Sequence, residues 1–253
     1  MSEFINTIDV LGDDAVVDSI IDRTITEFKD NSITTVESYA FSNCKELTSV
    51  HLPNVTFLSR SVFEGCSKLT DVDLPELSRT YEAVFASSGI TTLRLEKLQN
   101  FHFKICTSCQ SLTEVYLPIA VTDAGYSKSQ GAFQNCKKLS SFYAPNITEV
   151  SGYMFYGCSA LEYLDFPVLK NITSWSFFTS GLKCLALRNT EMVTLAGKDC
   201  VFPSTSTRVL VPSALLESYK VATNWSNFAS QLYALEDFTV DGTITGEIDK
   251  KKI

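Results

Sequence analysis

Residues 40–53 read Ala40-Phe41-Ser42-Asn43-Cys44-Lys45-Glu46-Leu47-Thr48-Ser49-Val50-His51-Leu52-Pro53. The same phrase returns as Val62, Phe63, Cys66, Leu69, Val72, Leu74 and Pro75, with every landmark displaced by 22 residues. A third copy (Val84, Phe85, Ser88, Ile90, Leu93, Leu95) loses a residue around Gly89 and carries Ser88 at the cysteine place. The fourth is Ile105, Cys106, Cys109, Leu112, Val115, Leu117 and Pro118. After an insertion at 119–131 come Ala132, Phe133, Cys136, Leu139, Phe142, Ala144 and Pro145, then Met154, Phe155, Cys158, Leu161, Leu164, Phe166 and Pro167. A second short copy follows (Ser176, Phe177, Ser180, Leu182, Leu185, Leu187), and a degenerate eighth ends in Val209, Val211 and Pro212.

The run Leu-x-x-Val-x-Leu turns alternate side chains inward, as a β-strand does. Val50 and Leu52 face a core, while Ser49 and His51 face out. Proline ends the strand because it cannot donate to a ladder. The return leg carries a second apolar set, Val55, Leu58 and Phe63. One such unit cannot bury both legs, so neighbours must stack into a continuous core. The expected fold is a β-rich solenoid with one parallel strand per ~22-residue repeat, seven to eight repeats in all, and short helical caps at both ends.

The phrase resembles the BspA-like leucine-rich repeats, a class built on the same Ala-Phe, Cys, Leu, Val, Leu-Pro spacing. The resemblance covers residues 33–212. Ser88, Ser180 and Cys106 depart from it at single rungs. It implies a surface-exposed bacterial module that binds host matrix proteins or other bacteria, without chemistry or cofactor.

The ends are expected to close the stack. Residues 1–32 read as a helical cap and half repeat, with Asp13 or Asp14 capping a helix over 11–22 and with Ile25 and Phe28 leading into the first rung. Residues 213–237 read as a C-terminal helical cap. Ser213 is its expected N-cap, Leu215, Leu216 and Tyr219 share a face, and Trp225, Phe228 and Leu232 close the last rung. Residues 238–253 read as a polar tail, with a turn at Asp241-Gly242. The closing phrase Val211-Pro212 to Asn224-Trp225 is similar to the C-terminal closure of repeat proteins from bacteria and their prophage regions.

The net charge of −8 disfavours nucleic acid and anionic membrane surfaces. No stretch approaches the ~18 apolar residues that span a bilayer, and the first residues show no basic segment followed by an apolar run. The expectation is no membrane insertion and no visible signal peptide, with a cell-surface or secreted location resting on the resemblance. A monomer is expected.

Candidate chemistry is sparse. Cys106 and Cys109 have redox or metal-like spacing, yet Cys109 is the regular repeat cysteine and Cys106 replaces the regular Phe. The cysteines are expected to be free thiols packed as small hydrophobes. His51 and His102 form no zinc-spaced cluster. No phosphate loop or dinucleotide fingerprint occurs, so no catalytic, cofactor-binding or metal-binding residue is assigned. Asp71 and Asp73 share a strand face and read as solvated. The sequons at Asn54, Asn146 and Asn171 are expected just after the strand, as turn residues bonding their own backbone.

What remains is the outward strand face. Tyr116, Tyr143 and Tyr163 are expected to form a row across three neighbouring rungs, flanked by Arg94 and Asp165. Tyrosine and arginine are enriched in interface hot spots. The expected function is therefore non-enzymatic binding or adhesion, with a protein or glycan partner. The alternatives are a structural or host-recognition component of a phage particle and a glycan-active enzyme. The 119–131 insertion is a second candidate binding face.

Overall fold

The computed structural model describes residues 23–122, 131–197, 199, 202–240 and 243–244. The chain winds as a parallel β-solenoid. One face of the solenoid is a succession of three parallel sheets: Glu27–Lys29, Ser49–His51 and Asp71–Asp73; then Thr92–Arg94, Glu114–Tyr116 and Ser141–Tyr143; then Tyr163–Phe166, Cys184–Leu187, Arg208–Val211 and Leu232–Ala234. Phe28 pairs with Val50 and Val50 with Val72, a shift of 22 residues per rung. The stack therefore extends past the repeats at both ends: the half repeat holding Phe28 supplies a first strand, and Leu232–Ala234 adds a last one beside Arg208–Val211.

The return leg also forms a strand, of two residues. Thr35–Val36, Phe57–Leu58, Arg79–Thr80, Asn100–Phe101 and Val121–Thr122 make one parallel sheet, and Glu149–Val150, Asn171–Ile172 and Thr194–Leu195 another. Between the two legs most rungs round an arc with a left-handed residue on either side of the Phe position, such as Tyr39 and Asn43, or Lys104 and Ser108 in the fourth copy, where Cys106 replaces Phe. Left-handed backbone is unfavourable for non-glycine residues, and cross-rung hydrogen bonds hold it. Tyr39, Phe41 and Asn43 donate their N–H groups to the carbonyls of Arg60, Val62 and Glu64, and Ser61, Phe63 and Gly65 donate to Glu82, Val84 and Ala86. All of these point toward the C-terminal end, so the arc is a third ladder with a single direction.

The core is one continuous cluster, with an aromatic column in two runs. Phe28, Phe41, Phe63 and Phe85 form one aromatic run, with centroids 4.7, 5.3 and 5.6 Å apart. Phe133, Phe155, Phe177 and Phe202 form another, at 6.1, 6.0 and 5.9 Å. Cys106 interrupts the column between them. Among the described residues the repeat cysteines are buried and none forms a disulfide. They are more than small hydrophobes. Cys66, Cys109 and Cys158 donate S–H to the carbonyls of Phe41, Phe85 and Phe133, at 3.0, 2.9 and 3.1 Å. The Phe41 carbonyl also accepts the Cys44 N–H at 3.1 Å, so the thiol of the next rung fills its second lone pair.

The sequons need a correction. Asn54 and Asn146 do follow the strand, but their side-chain amides bond the previous rung, at Asn31 O (2.8 Å) and Pro118 O (2.9 Å). Asn171 is not in that turn at all; it lies in the return strand, paired with Glu149.

At the C-terminal end, Ser213–Val221 is a helix without a side-chain cap. Ser213 is its first residue and not the expected N-cap, and its N–H bonds Glu236 Oε2 at 2.9 Å. Tyr219, Trp225, Phe228 and Leu232 are buried as expected. The last return strand has no following rung, so side chains of the cap take over. The Tyr219 hydroxyl accepts the Val193 N–H at 2.7 Å, the Trp225 indole donates to the Val193 carbonyl at 2.7 Å, and Asn224 Nδ2 donates to Leu195 O at 2.7 Å. Thr239–Val240 pairs antiparallel with Thr243–Ile244, on either side of the Asp241-Gly242 dipeptide. The expected helix over 11–22, the turn residues themselves and the tail beyond 244 lie outside the described residues.

Candidate functional site

The three-sheet face buries alternate residues and presents the others as two files. One file holds Glu27, Ser49 and Asp71, then Thr92, Glu114 and Ser141; the next holds Lys29, His51 and Asp73, then Arg94, Tyr116 and Tyr143. Parallel register places like positions of neighbouring rungs about 4.8 Å apart, close enough for rings to stack.

Three of the five expected site residues come together in the second file. The Tyr116 and Tyr143 rings stack at 5.1 Å and 14°, and the Arg94 guanidinium sits 4.1 Å from the Tyr116 centroid. Arg94 is held there by Glu114 at 3.2 Å and Glu96 at 3.5 Å. Cation–π contacts of this kind contribute about 0.5–1 kcal/mol at exposed sites. The far end of the stack is open, with Tyr143 49% exposed.

Tyr163 does not extend the row. The strand Tyr163–Phe166 ends Asp165-Phe166-Pro167 where the preceding copy ends Tyr143-Ala144-Pro145, so by repeat position Asp165 corresponds to Tyr143 and Tyr163 to Ser141, across a break between two hydrogen-bonded sheets. The Tyr163 hydroxyl bonds Asp165 Oδ2 at 3.4 Å. Burial raises its pKa first, then the Asp165 charge beside it, so the phenol stays protonated. Arg188 also donates to Asp165, with its Nε 3.0 and 2.9 Å from the two carboxylate oxygens.

Arg188 is a residue the repeat reading passed over. It stands where Pro167 stands one rung earlier, and that substitution in the short rung was the available signal. A second feature was also missed. One rung beyond Asp165 the outward positions become Cys184 and Ala186, and on the rung after that Leu210, all buried in one cluster with Leu235 and with Phe238 packed against it. Arg208 lies over the rings of Tyr233 and Phe238 at 5.7 and 5.9 Å. The segment after the last strand therefore folds back over the sheet, and the open face ends there.

Other candidates resolve as follows. His51 Nδ1 pairs with Asp73 Oδ2 on the next rung. On the opposite sheet, Tyr81 is 50% exposed and stacks on His102 at 5.2 Å and 2°, with Phe57 edge-on at 6.1 Å. Cys106, Cys109 and Cys136 meet in the core. Burial raises the Cys106 thiol; the Cys109 hydrogen bond and then burial raise Cys136. Among the described residues no group of three His, Cys, Asp or Glu is placed to hold a metal, and no helix is long and apolar enough to cross a membrane. Most of the insertion, 123–130, lies outside the described residues.

The BspA type leucine-rich repeat region matches residues 22–128 and 126–218, in 6 copies. The chain belongs to the BspA-type leucine-rich-repeat family. A solved leucine-rich repeat protein from Eubacterium ventriosum is 25% identical over 68% of this chain and 45% of its own, with a TM-score of 0.54. Another, from Bacteroides ovatus, is 17% identical over 80% of this chain and 58% of its own, with a TM-score of 0.51, and speaks to the fold alone. This BspA-type chain thus spans about half the length of each. No curated protein matches it.

Proposed function

We propose that this chain is a non-enzymatic binding module that presents its open sheet face to a protein or glycan ligand at the bacterial cell surface. The observation that carries the reading is the in-register ladder of Arg94, Tyr116 and Tyr143. Its members are spaced by backbone hydrogen bonds, so the surface exists before a ligand arrives. Preformed contact groups avoid part of the ordering cost that binding otherwise incurs. Rigid aromatics beside arginine are the residue types that dominate interface energies. The reading gives no residue a bond-making role.

The test immobilises extracellular matrix proteins, whole bacterial cells and an oligosaccharide panel. Each is probed with wild type and with the triple variant Tyr116→Ser, Tyr143→Ser, Tyr163→Ser. A ligand of this face loses roughly 30-fold in affinity or more, as hot-spot residues do. Undiminished binding by the folded triple variant removes the face from the function. Surface location is checked by release of the protein from intact cells by external protease.

A further inference from the structure

The arcs between the two legs carry a cleft of their own. The first left-handed position of the arc is Tyr39, Ser61, Ala83 and Lys104 in four successive rungs. Cross-rung hydrogen bonds hold these arcs together: Tyr39 N–H to Arg60 O at 2.9 Å, Ser61 N–H to Glu82 O at 3.0 Å and Ser87 N–H to Thr107 O at 2.8 Å. A large side chain at each end, with two small ones between, leaves a gap, and all four residues line one cavity of about 330 Å³. That is the lower end of the roughly 300–1,000 Å³ range of small-molecule pockets. Later in the stack the same position holds Tyr153 and Trp175. There the rings pack along the arc instead, Tyr153 on Tyr156, Tyr156 on Phe178 and Trp175 on Phe178, at 5.6, 5.6 and 5.1 Å.

Four charged residues stand in the wall of the cleft. Arg60 and Glu82 hold each other, with Nε 2.6 Å from Oε1. Glu64 and Lys104 line the same cavity, and among the described residues neither forms an ion pair. Lys104 Nζ lies 5.8 Å from the ring centroid of Phe103, its neighbour in the chain. The arcs that carry Glu64 and Lys104 are two rungs apart, about 10 Å, with the small residues between them. Ser61 is only 3% exposed and lines the cavity, and its hydroxyl bonds no described residue.

We propose that this cleft binds a small zwitterion of the amino-acid class, its ammonium at Glu64, its carboxylate at Lys104, and the Ser61 hydroxyl as a further partner. The site is separate from the open sheet face and does not rest on the binding-module reading. Charge selects the ligand class. With Arg60 and Glu82 paired, one carboxylate and one ammonium remain. A simple anion would pair Lys104 and leave Glu64 without a partner; a simple cation would do the reverse. A ligand that carries both charges satisfies both, through charge-assisted hydrogen bonds about twice as strong as neutral ones.

The test is an amide-detected heteronuclear NMR titration of the full chain with L-alanine, γ-aminobutyrate and glycylglycine, which differ in the separation of their charges. At least one is expected to shift the amide signals of Ser61, Ala83 and Lys104. Propylamine and propionate, which carry one charge each, should bind at least about tenfold more weakly. Glu64→Gln and Lys104→Met should each weaken the zwitterion by about tenfold or more. Ala83→Tyr should abolish binding by filling the gap; the arc already accepts tyrosine at this position in Tyr39 and Tyr153, and thermal unfolding confirms that each variant is folded. The triple variant Tyr116→Ser, Tyr143→Ser, Tyr163→Ser should bind the zwitterion as wild type does. Absence of shifts with all three zwitterions, or binding that survives both Glu64→Gln and Lys104→Met, overturns the proposal. So does propylamine or propionate binding as tightly as the best zwitterion, since it assigns the cleft to a simple cation or anion. None of these outcomes involves a residue of the sheet face, so the binding-module reading stands or falls by its own test.

Discussion

The repeat cysteine carries two jobs at one position. It is small enough for the crowded arc, and its S–H satisfies a phenylalanine carbonyl of the rung before. Burial pushes both Cys66 and Cys158 up to about 12. The folded pKa therefore lies above the unfolded one. Below about pH 9 both states hold the proton and nothing changes; between about 9 and 12 the unfolded chain releases protons that the native state keeps, so stability falls as pH rises. Each such thiol costs about 1.4 kcal/mol per pH unit in that window. Denaturant midpoints measured from pH 8 to 11 should decline steeply above 9, and less steeply in Cys66→Ala. Thr80 is a different case. It occupies the inward column of Val36, Leu58 and Phe101, buried, and its hydroxyl has no partner among the described residues. An unmade buried hydrogen bond is costly, so Thr80→Val should stabilise by about 1 kcal/mol, read as a higher unfolding midpoint.

At the scale of the element, the two short rungs depend on one residue type. Gly89 and Gly181 donate N–H to Cys66 O and Cys158 O at 3.0 Å. A Cβ on either would collide with the backbone carbonyl of Ser67 or Ser159. Losing a residue pulls the chain onto the rung before it, and only glycine tolerates the approach. Gly89→Ala and Gly181→Ala should each destabilise by about 3 kcal/mol, whereas Gly152→Ala, where the nearest atom to a Cβ is 3.5 Å away, should be nearly silent. A chemical denaturation series on the three variants separates them. The return leg shows what pattern reading misses at this scale. Its strands are two residues long, too short for alternation to register, and they exist because neighbouring rungs pair.

For the molecule as a whole, the C-terminal segment both ends the stack and limits the usable face. Leu235 and Phe238 cover outward positions that elsewhere are polar. Leu235→Ser with Phe238→Ser should uncover Cys184, and its labelling by a thiol reagent, located by mass spectrometry, should rise on the order of tenfold through local opening. Unchanged labelling would mean that the cover does not protect that surface.

The 22-residue spacing by itself determined the solenoid, the inward columns, the aromatic spine and the two short rungs, because a repeat that cannot bury itself must stack in register. It also placed Arg94, Tyr116 and Tyr143 in one file, since all three sit at the same repeat position. Tyr163 was misplaced by one alternation, a two-residue slip that counting from Pro167 would have caught. Arg188 against Asp165, the thiol-to-carbonyl ladder, the Asn side chains bonding the rung before, and the fold-back over Cys184 and Ala186 were decided only by tertiary structure. Each joins residues a rung or more apart in the chain, and a repeat pattern records which positions face the core, not which outward side chains meet across rungs.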